Sequence, residues 1–211
     1  MKRIESRIDT RSADFRANLE HNRKLAATLK ERQRVVREVR PERDMQRLAR
    51  QGKLFVRERI ERLLDPGTPF LELSTLAACE NWGGEVPGAG IVSGIGVVAG
   101  REVILHADDA SVKGGAWYPE SVKKIVRTLD IAIENHLPVV HLCDSAGGFL
   151  PAQADFFADR YYAGRMFRNQ SILSKMGVPQ VSIVLGHCTA GGAYIPALSD
   201  YSVIVRGTGA I

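Results

Sequence analysis

Two apolar runs, PVVHLCDS (138–145) and VSIVLG (181–186), narrow the possible folds more than any other part of the chain. Each ends in a turn of small residues with two adjacent glycines, Ser145-Ala146-Gly147-Gly148 in the first case and Thr189-Ala190-Gly191-Gly192 in the second. The runs are continuously apolar rather than alternating, as strands buried on both faces are. ESVKKIVRTLDIAIENHLP (120–138) carries Val122, Ile125, Val126, Leu129 and Ile133 at helical intervals, with Pro119 suited to the first turn and Pro138 ending it. Residues 152–176 read as mostly helical up to Gly177 and Pro179, and YSVIVR supplies a third strand. Strands alternating with helices in this way predict a parallel sheet covered by helices, with right-handed crossovers.

Before these units, EVPGAGIVSGIGVVAGREVILHADD (85–109) has β-branched runs broken by glycines and predicts a hairpin turning at Gly100 and Arg101. Gly94 and Gly96 imitate the start of a dinucleotide fingerprint, but Ala99 stands where its third glycine belongs and no helical pattern follows. No phosphate-binding Walker sequence occurs.

Charge divides the chain. Residues 1–62 hold 19 of the 29 Lys and Arg and 10 of the 24 Asp and Glu, so the net charge of +5 conceals a strongly basic first part and a mildly acidic remainder. Within the basic part Phe15, Leu19, Leu25, Leu29 and Val36 recur near helical spacing, and MQRLARQGKLFVRERIERLL (45–64) repeats the pattern after Pro41. We therefore expect a basic helical region over 1–65 and an α/β core over 66–211. The charge is read either as a solvated helix face or as a patch for a polyanion, the phosphates of a nucleotide cofactor fitting better than nucleic acid, for which no binding motif is present.

The remaining signals are largely exclusions. No run of about eighteen uncharged apolar residues predicts a membrane span, and MKRIESRIDTRSADF lacks the apolar core of a signal peptide, which leaves a cytoplasmic location as the expectation. Cys79, Cys143 and Cys188 are widely spaced and suggest packed free thiols rather than a disulfide framework or a zinc ribbon. No metal site is predicted.

The glycine turns suggest a site that works through its backbone. Turns at the carboxyl ends of neighbouring parallel strands lie where open α/β proteins bind ligands. Glycine admits close approach, and a helix beginning just after it presents free N–H groups. Two such donors aimed at one carbonyl oxygen make an oxyanion hole. The competing reading is that the glycines only let helix and sheet pack closely. A serine hydrolase is a further alternative: Ser145 follows Cys143-Asp144, where a nucleophile elbow needs glycine at position 143, with His141 and His187 as candidate bases and Asp144 read as a turn or capping residue.

Four blocks, GKLFVRERIERLLDPGTPFLELS (52–74), DDASVKGGAWYPESVKK (108–124), DSAGGFLPAQADFFADR (144–160) and GHCTAGGAYIPALSD (186–200), resemble in order and spacing the carboxyltransferase (beta) subunits of biotin-dependent acyl-CoA carboxylases, the methylcrotonyl-CoA type above all. The resemblance implies the N-terminal domain of a crotonase-like (ClpP/crotonase) fold. It implies an enzyme that removes a proton from an acyl-CoA or enoyl-CoA and passes CO₂ from carboxybiotin to the resulting enolate. By the same resemblance the Gly191-Gly192 turn is the oxyanion element for the thioester, and Gly147-Gly148 lies where the other donor is placed. Arg50, Lys53 and Lys113 are the candidates for the phosphate end of coenzyme A, and Ala190 and Ala193, which flank the glycine pair, for further contact with it. The implied partners are a biotin carboxylase and biotin carrier (alpha) subunit and further beta subunits in a homo-oligomer. VRPERD (39–44) replaces a glycine-rich stretch of the family, and the chain ends at Ile211 within a domain, so a fragment inactive by itself is expected, with a non-catalytic CoA-binding or assembly module as the alternative.

Overall fold

A computed structural model describes residues 5–211. The chain forms two compact units, the first ending at Val39 and the second spanning Arg40–Ile211. In the first, helix α1 (Ala13–Glu38) is capped by Ser12, whose Oγ accepts the N–H of Phe15 at 3.1 Å. Leu25 and Leu29 are exposed along it, and Glu31 and Arg34 pair at 2.7 Å.

The second unit opens with two short helices, α2 (Glu42–Arg50) and α3 (Val56–Leu63), and the strand β1 (Leu71–Leu73). The predicted hairpin of β2 (Ile91–Val98) and β3 (Arg101–Asp108) follows, but it turns through Ala99 and Gly100, both at positive φ, one residue before the expected Gly100-Arg101, and Arg101 already opens β3. Strand β4 (Ala116–Trp117) leads into helix α4 (Pro119–Asn135), with Pro119 in its first turn and His136 in the left-handed conformation at its end. Strands β5 (Val139–Ser145) and β6 (Gly147–Gly148), helix α5 (Ala163–Lys175), strand β7 (Gln180–Cys188), helix α6 (Gly191–Ala197) and strand β8 (Tyr201–Ile204) complete the chain.

Six strands form one sheet in the order β1-β2-β3-β5-β7-β8, antiparallel at β1-β2-β3 and parallel from β3 onward, while β4 and β6 make a separate two-stranded pair. Every residue of β5 is buried, because helices cover both faces. On one face Val122, Ile125 and Leu129 of α4 and Leu173 of α5 pack on Ile104, Val139 and Val184; on the other, Val56 and Ile60 of α3 pack on Leu105, Val140 and Leu142. Strand β7 buries every second residue instead, and the edge strand β8 is exposed throughout, so the continuous apolar texture of these two reflects β-propensity more than two-sided burial.

The helix expected over 152–176 divides. A 3-10 turn covers Leu150–Asp155, an irregular stretch follows, and α5 begins only at Ala163. Asp159 explains the interruption: its Oδ1 accepts the N–H groups of Tyr161 and Tyr162 at 2.8 and 2.9 Å, a side-chain substitute for helical bonds.

Much of the basic charge of 40–62 points inward. Arg40 reaches Asp109 at 2.7 Å, Arg57 reaches Glu72 at 2.9 Å, and Lys53 and Arg59 both reach Asp144. Cys143 and Cys188 are buried free thiols and Cys79 is half-buried. No helix among the described residues is long and apolar enough to cross a membrane.

Candidate functional site

The parallel pairing of β5 with β7 brings the two glycine turns side by side. Ser145 pairs with Cys188 after an irregularity in the register, and Thr189 N–H donates to Ser145 O at 3.1 Å. Gly147, at φ 84°, passes so close that a Cβ there would lie 2.9 Å from Thr189 O, so both its backbone angle and its surroundings demand glycine. Gly192 faces Ser145 in the same way, with an added Cβ 3.2 Å from Ser145 Cβ and 3.3 Å from its Oγ. Ala190, which carries α6 away from β7, holds φ 49° and ψ −118°, a backbone state that costs a non-glycine residue about 1–3 kcal/mol and marks sites where function outweighs strain.

The backbone N–H groups divide into those already engaged and those left over. Gly192 N–H donates to Thr189 O at 2.9 Å, Ala193 N–H to Ala190 O at 3.0 Å, and Gly147 N–H to Ser145 Oγ at 3.0 Å. Gly148 and Gly191 differ. Gly148 is the bridge partner of Trp117, and Phe149 N–H donates to Trp117 O at 2.8 Å; in a parallel ladder that arrangement turns Gly148's own N–H away from Trp117. Gly191 is the first residue of α6, where the N–H has no partner within the helix.

Gly148, Ala190 and Gly191 line one cavity of about 610 Å³, walled by Trp117, Phe156, Met166 and Tyr194 among others. A second cavity of about 320 Å³ shares Ala146 and Thr189 with it and is lined by Arg47, Lys53, Asp144 and His187. An apolar chamber thus adjoins one lined by several charged side chains, with Ala146 and Thr189 of the two glycine turns shared between them. Such an arrangement can hold a carbonyl oxygen against backbone donors, with an apolar group on one side and a polar extension on the other.

The other candidate residues fall in different places. Lys53 lines the second cavity but is almost wholly buried, its Nζ 2.7 Å from Asp144 Oδ1, while Arg59 Nη2 holds Asp144 Oδ2 at 3.0 Å. Arg50 is exposed, and its side chain donates to Gln46 O within its own helix at 3.4 Å. Lys113 pairs with Glu85 on the surface and holds that carboxyl below its usual pKa through the hydrogen bond and its charge. Ala193, within α6, is half-buried against the core.

Asp144 is neither a turn nor a capping residue. It is the next-to-last residue of β5, a buried carboxylate with two cationic partners, and its backbone N–H donates to Asp108 Oδ2 at 3.1 Å. Trp117 Nε1 donates to the other oxygen of Asp108 at 2.8 Å. Ser145 is also buried: its hydroxyl donates to Gly115 O at 3.0 Å and accepts from Gly147 N–H, which leaves it tied to backbone rather than poised beside a base. His141 meets His106 Nδ1 to Nδ1 at 3.0 Å in the core, and burial, followed by the neighbouring His106, pushes its pKa well below 6.5. His187 is exposed on β7. The serine-hydrolase arrangement is therefore absent among the described residues.

Sequence reasoning missed Asp108, the Lys53–Asp144–Arg59 cluster and the histidine pair. A usable signal existed, since Asp108 and Asp144 stand at the carboxyl ends of the neighbouring strands β3 and β5, but the cations that meet Asp144 come from 85 and 91 residues away in sequence.

Residues 47–211 match the family model of the carboxyl transferase domain. The biotin-dependent 3-methylcrotonyl-coenzyme A carboxylase beta1 subunit of Mycobacterium tuberculosis is 55% identical over 170 residues, covering 81% of this chain and 32% of that protein. A probable mitochondrial methylcrotonoyl-CoA carboxylase beta chain of Drosophila melanogaster is 46% identical over 209 residues, 99% of this chain and 36% of that one. Among solved structures, the beta subunit of P. aeruginosa geranyl-CoA carboxylase superposes with a TM-score of 0.78 at 39% identity, over 98% of this chain and 38% of its own. Transcarboxylase 12S, a hexameric core with methylmalonyl-coenzyme A bound, gives 0.77 at 30% identity, over 88% and 36%. The chain spans about a third of the length of these curated relatives. Four blocks in family order, a mixed sheet with helices on both faces and paired glycine turns at its carboxyl edge all agree with that match: the chain belongs to the carboxyl transferase domain family and has its crotonase-like fold.

Proposed function

We propose that this chain forms the acyl-CoA-binding part of the carboxyltransferase component of a biotin-dependent acyl-CoA carboxylase, with a 3-methylcrotonyl-CoA-like enoyl thioester as substrate. The observation that carries this reading is that Gly148 and Gly191, one from each glycine turn, line the same apolar cavity. In this reading the thioester oxygen accepts the N–H groups of both. As a proton leaves the carbon conjugated with the thioester, for which the biotin ureido nitrogen that gives up the carboxyl group would be the acceptor, negative charge moves onto that oxygen, and fixed donors stabilise it more than they stabilise the neutral thioester. The acyl group occupies the apolar chamber, where Trp117, Phe156 and Met166 exclude water. Carboxybiotin, carried by a partner subunit, supplies the carboxyl group that the enolate carbon takes up. The donor set suits this chemistry, since the enolate requires hydrogen bonds and the cavity offers backbone donors rather than a nucleophile. Assembly with an alpha subunit and with further beta subunits belongs to the same proposal, supported by relatives named as beta subunits and by a hexameric relative.

The test uses the full-length subunit assembled with its biotin-carrying partner, assayed with acetyl-, propionyl-, 3-methylcrotonyl- and geranyl-CoA. The highest kcat/KM is expected for 3-methylcrotonyl-CoA. Thermal stabilisation by the CoA esters without carboxylation of any of them would replace the enzyme with a CoA-binding module; a ligand at 100 times its Kd adds about 2.7 kcal/mol, well within detection.

A further inference from the structure

Ser145 touches three separate turns. Its hydroxyl donates to Gly115 O at 3.0 Å, tying in the turn before β4, and accepts Gly147 N–H at 3.0 Å, tying in the turn before β6. Its carbonyl accepts Thr189 N–H at 3.1 Å, and its Cβ and Oγ are the nearest neighbours that a side chain on Gly192 would meet, at 3.2 and 3.3 Å. The side chain is buried, with 1% of the residue exposed, so no water replaces these contacts. Its surroundings are held in turn: the preceding residue, Asp144, is anchored through its carboxylate by Lys53 and Arg59 and through its N–H by Asp108.

Gly148 belongs to one of these turns and Gly191 to another. Their N–H groups are useful together only if the gap between them is constant, because a misplacement of about 1 Å can cost on the order of 10²-fold in rate. The β5–β7 ladder alone does not set that gap, since its register is irregular between Cys143 and Ser145. The Ser145 side chain is in contact with both sides of it.

We infer that Ser145 is a positioning residue: its hydroxyl and Cβ fix the separation of the Gly147-Gly148 and Ala190–Gly192 turns, and thereby the geometry of the two backbone donors. It forms no bond to the substrate. The inference rests on the proposed carboxyltransferase reading, which takes those donors as the thioester site.

The experiment compares wild type with Ser145→Ala in the assembled full-length enzyme, measuring kcat and KM for the preferred CoA ester together with amide hydrogen exchange at Gly147, Gly148 and Gly191. Replacement is expected to lower kcat about 10- to 100-fold with KM within about threefold, the split for an interaction expressed in the transition state. Faster exchange at Gly147, which loses its acceptor, is expected at unchanged circular dichroism. An unchanged kcat overturns the inference, as does a kcat loss matched by the loss of folded protein. Covalent labelling of wild-type Ser145 by a fluorophosphonate, with complete inactivation of the alanine variant, overturns it in favour of a nucleophile. If wild type carboxylates no CoA ester, the carboxyltransferase reading fails by itself. The exchange data then still decide the positioning role: coupled changes at Gly147 and Gly191 support it, and a change confined to Gly147 refutes it.

Discussion

Lys53 Nζ lies 2.7 Å from Asp144 Oδ1 with both side chains more than nine-tenths buried, and Arg59 holds the second carboxylate oxygen at 3.0 Å. A helix-bearing segment before the sheet is thereby fastened to the strand end that carries a glycine turn. Removing one partner of a buried ion pair costs about 3–5 kcal/mol because a charge is left uncompensated. Lys53→Met leaves Arg59 in place, so a loss near the lower end, about 3 kcal/mol, is expected in urea unfolding of the full-length subunit. Asp144→Asn leaves two cations facing each other and is expected to cost more. A raised KM for the CoA ester with unchanged stability in Lys53→Met would instead assign Lys53 to the CoA phosphates.

The two glycines of the second turn are expected to respond differently. A Cβ on Gly191 meets nothing nearer than Trp117 Cζ3 at 3.9 Å, at the cavity wall, whereas one on Gly192 meets Ser145 at 3.2 Å. Neither residue has a positive φ. Gly191→Ala is therefore expected to keep or slightly raise stability, by up to about 1 kcal/mol from helix propensity, while lowering kcat/KM at least tenfold by crowding the thioester. Gly192→Ala is expected to lower both melting temperature and kcat. Equal behaviour of the two variants in both measurements would contradict the division of roles.

His141 is kept neutral in the folded chain by burial and by His106. In the unfolded chain it takes up a proton below about 6.5 and in the native state it does not, so the unfolded state binds more protons and native stability falls as pH drops through this range. Denaturation curves between pH 7 and 4.5 are expected to show wild type losing stability relative to His141→Leu, with a limiting difference in slope of about 1.4 kcal/mol per pH unit. Parallel pH profiles for the two proteins would show that His141 is protonated in the native core.

Lys124 marks the opposite end of the scale. Its Nζ donates to Gly88 O and Ile91 O at 3.1 and 2.6 Å, and desolvation lowers its pKa from 10.5 to about 8, with Glu72 opposing and Arg57 adding to the shift. Between these values the unfolded lysine is charged and the folded one is losing its proton, so its penalty on folding is relieved as pH rises. Wild type is expected to gain stability relative to Lys124→Met from pH 8 to 10.5, by an amount on the order of 1–3 kcal/mol because the two carbonyls favour the ammonium form. A flat difference across that range would place the native pKa near its ordinary value.

Much of the architecture was legible before any coordinates. Pro119, the spacing of Val122, Ile125 and Leu129, and Pro138 marked α4 closely, because capping and periodicity are local properties of a chain. The β2–β3 hairpin was legible for the same reason, to within one residue of its turn at Ala99-Gly100. The glycine turns pointed to a backbone site, and Gly148 and Gly191 of those turns line one cavity. Local signals also misled: the apolar texture of 152–176 hid a break that depends on one aspartate accepting two N–H groups.

The sequence carried the local elements, the family blocks and the placing of glycine turns after two apolar strands, since each depends on residues within a few positions of one another. Which glycine N–H groups remain free was not readable there. Gly147 and Gly192 looked equivalent to Gly148 and Gly191 until Ser145 Oγ and Thr189 O were found to occupy the first pair. The destination of the basic charge was likewise hidden, because Lys53 and Arg59 meet Asp144 across 91 and 85 residues of chain. Partners so distant are brought together by sheet order and helix packing, and hydrogen bonds a few ångströms long are decided only when that packing is complete.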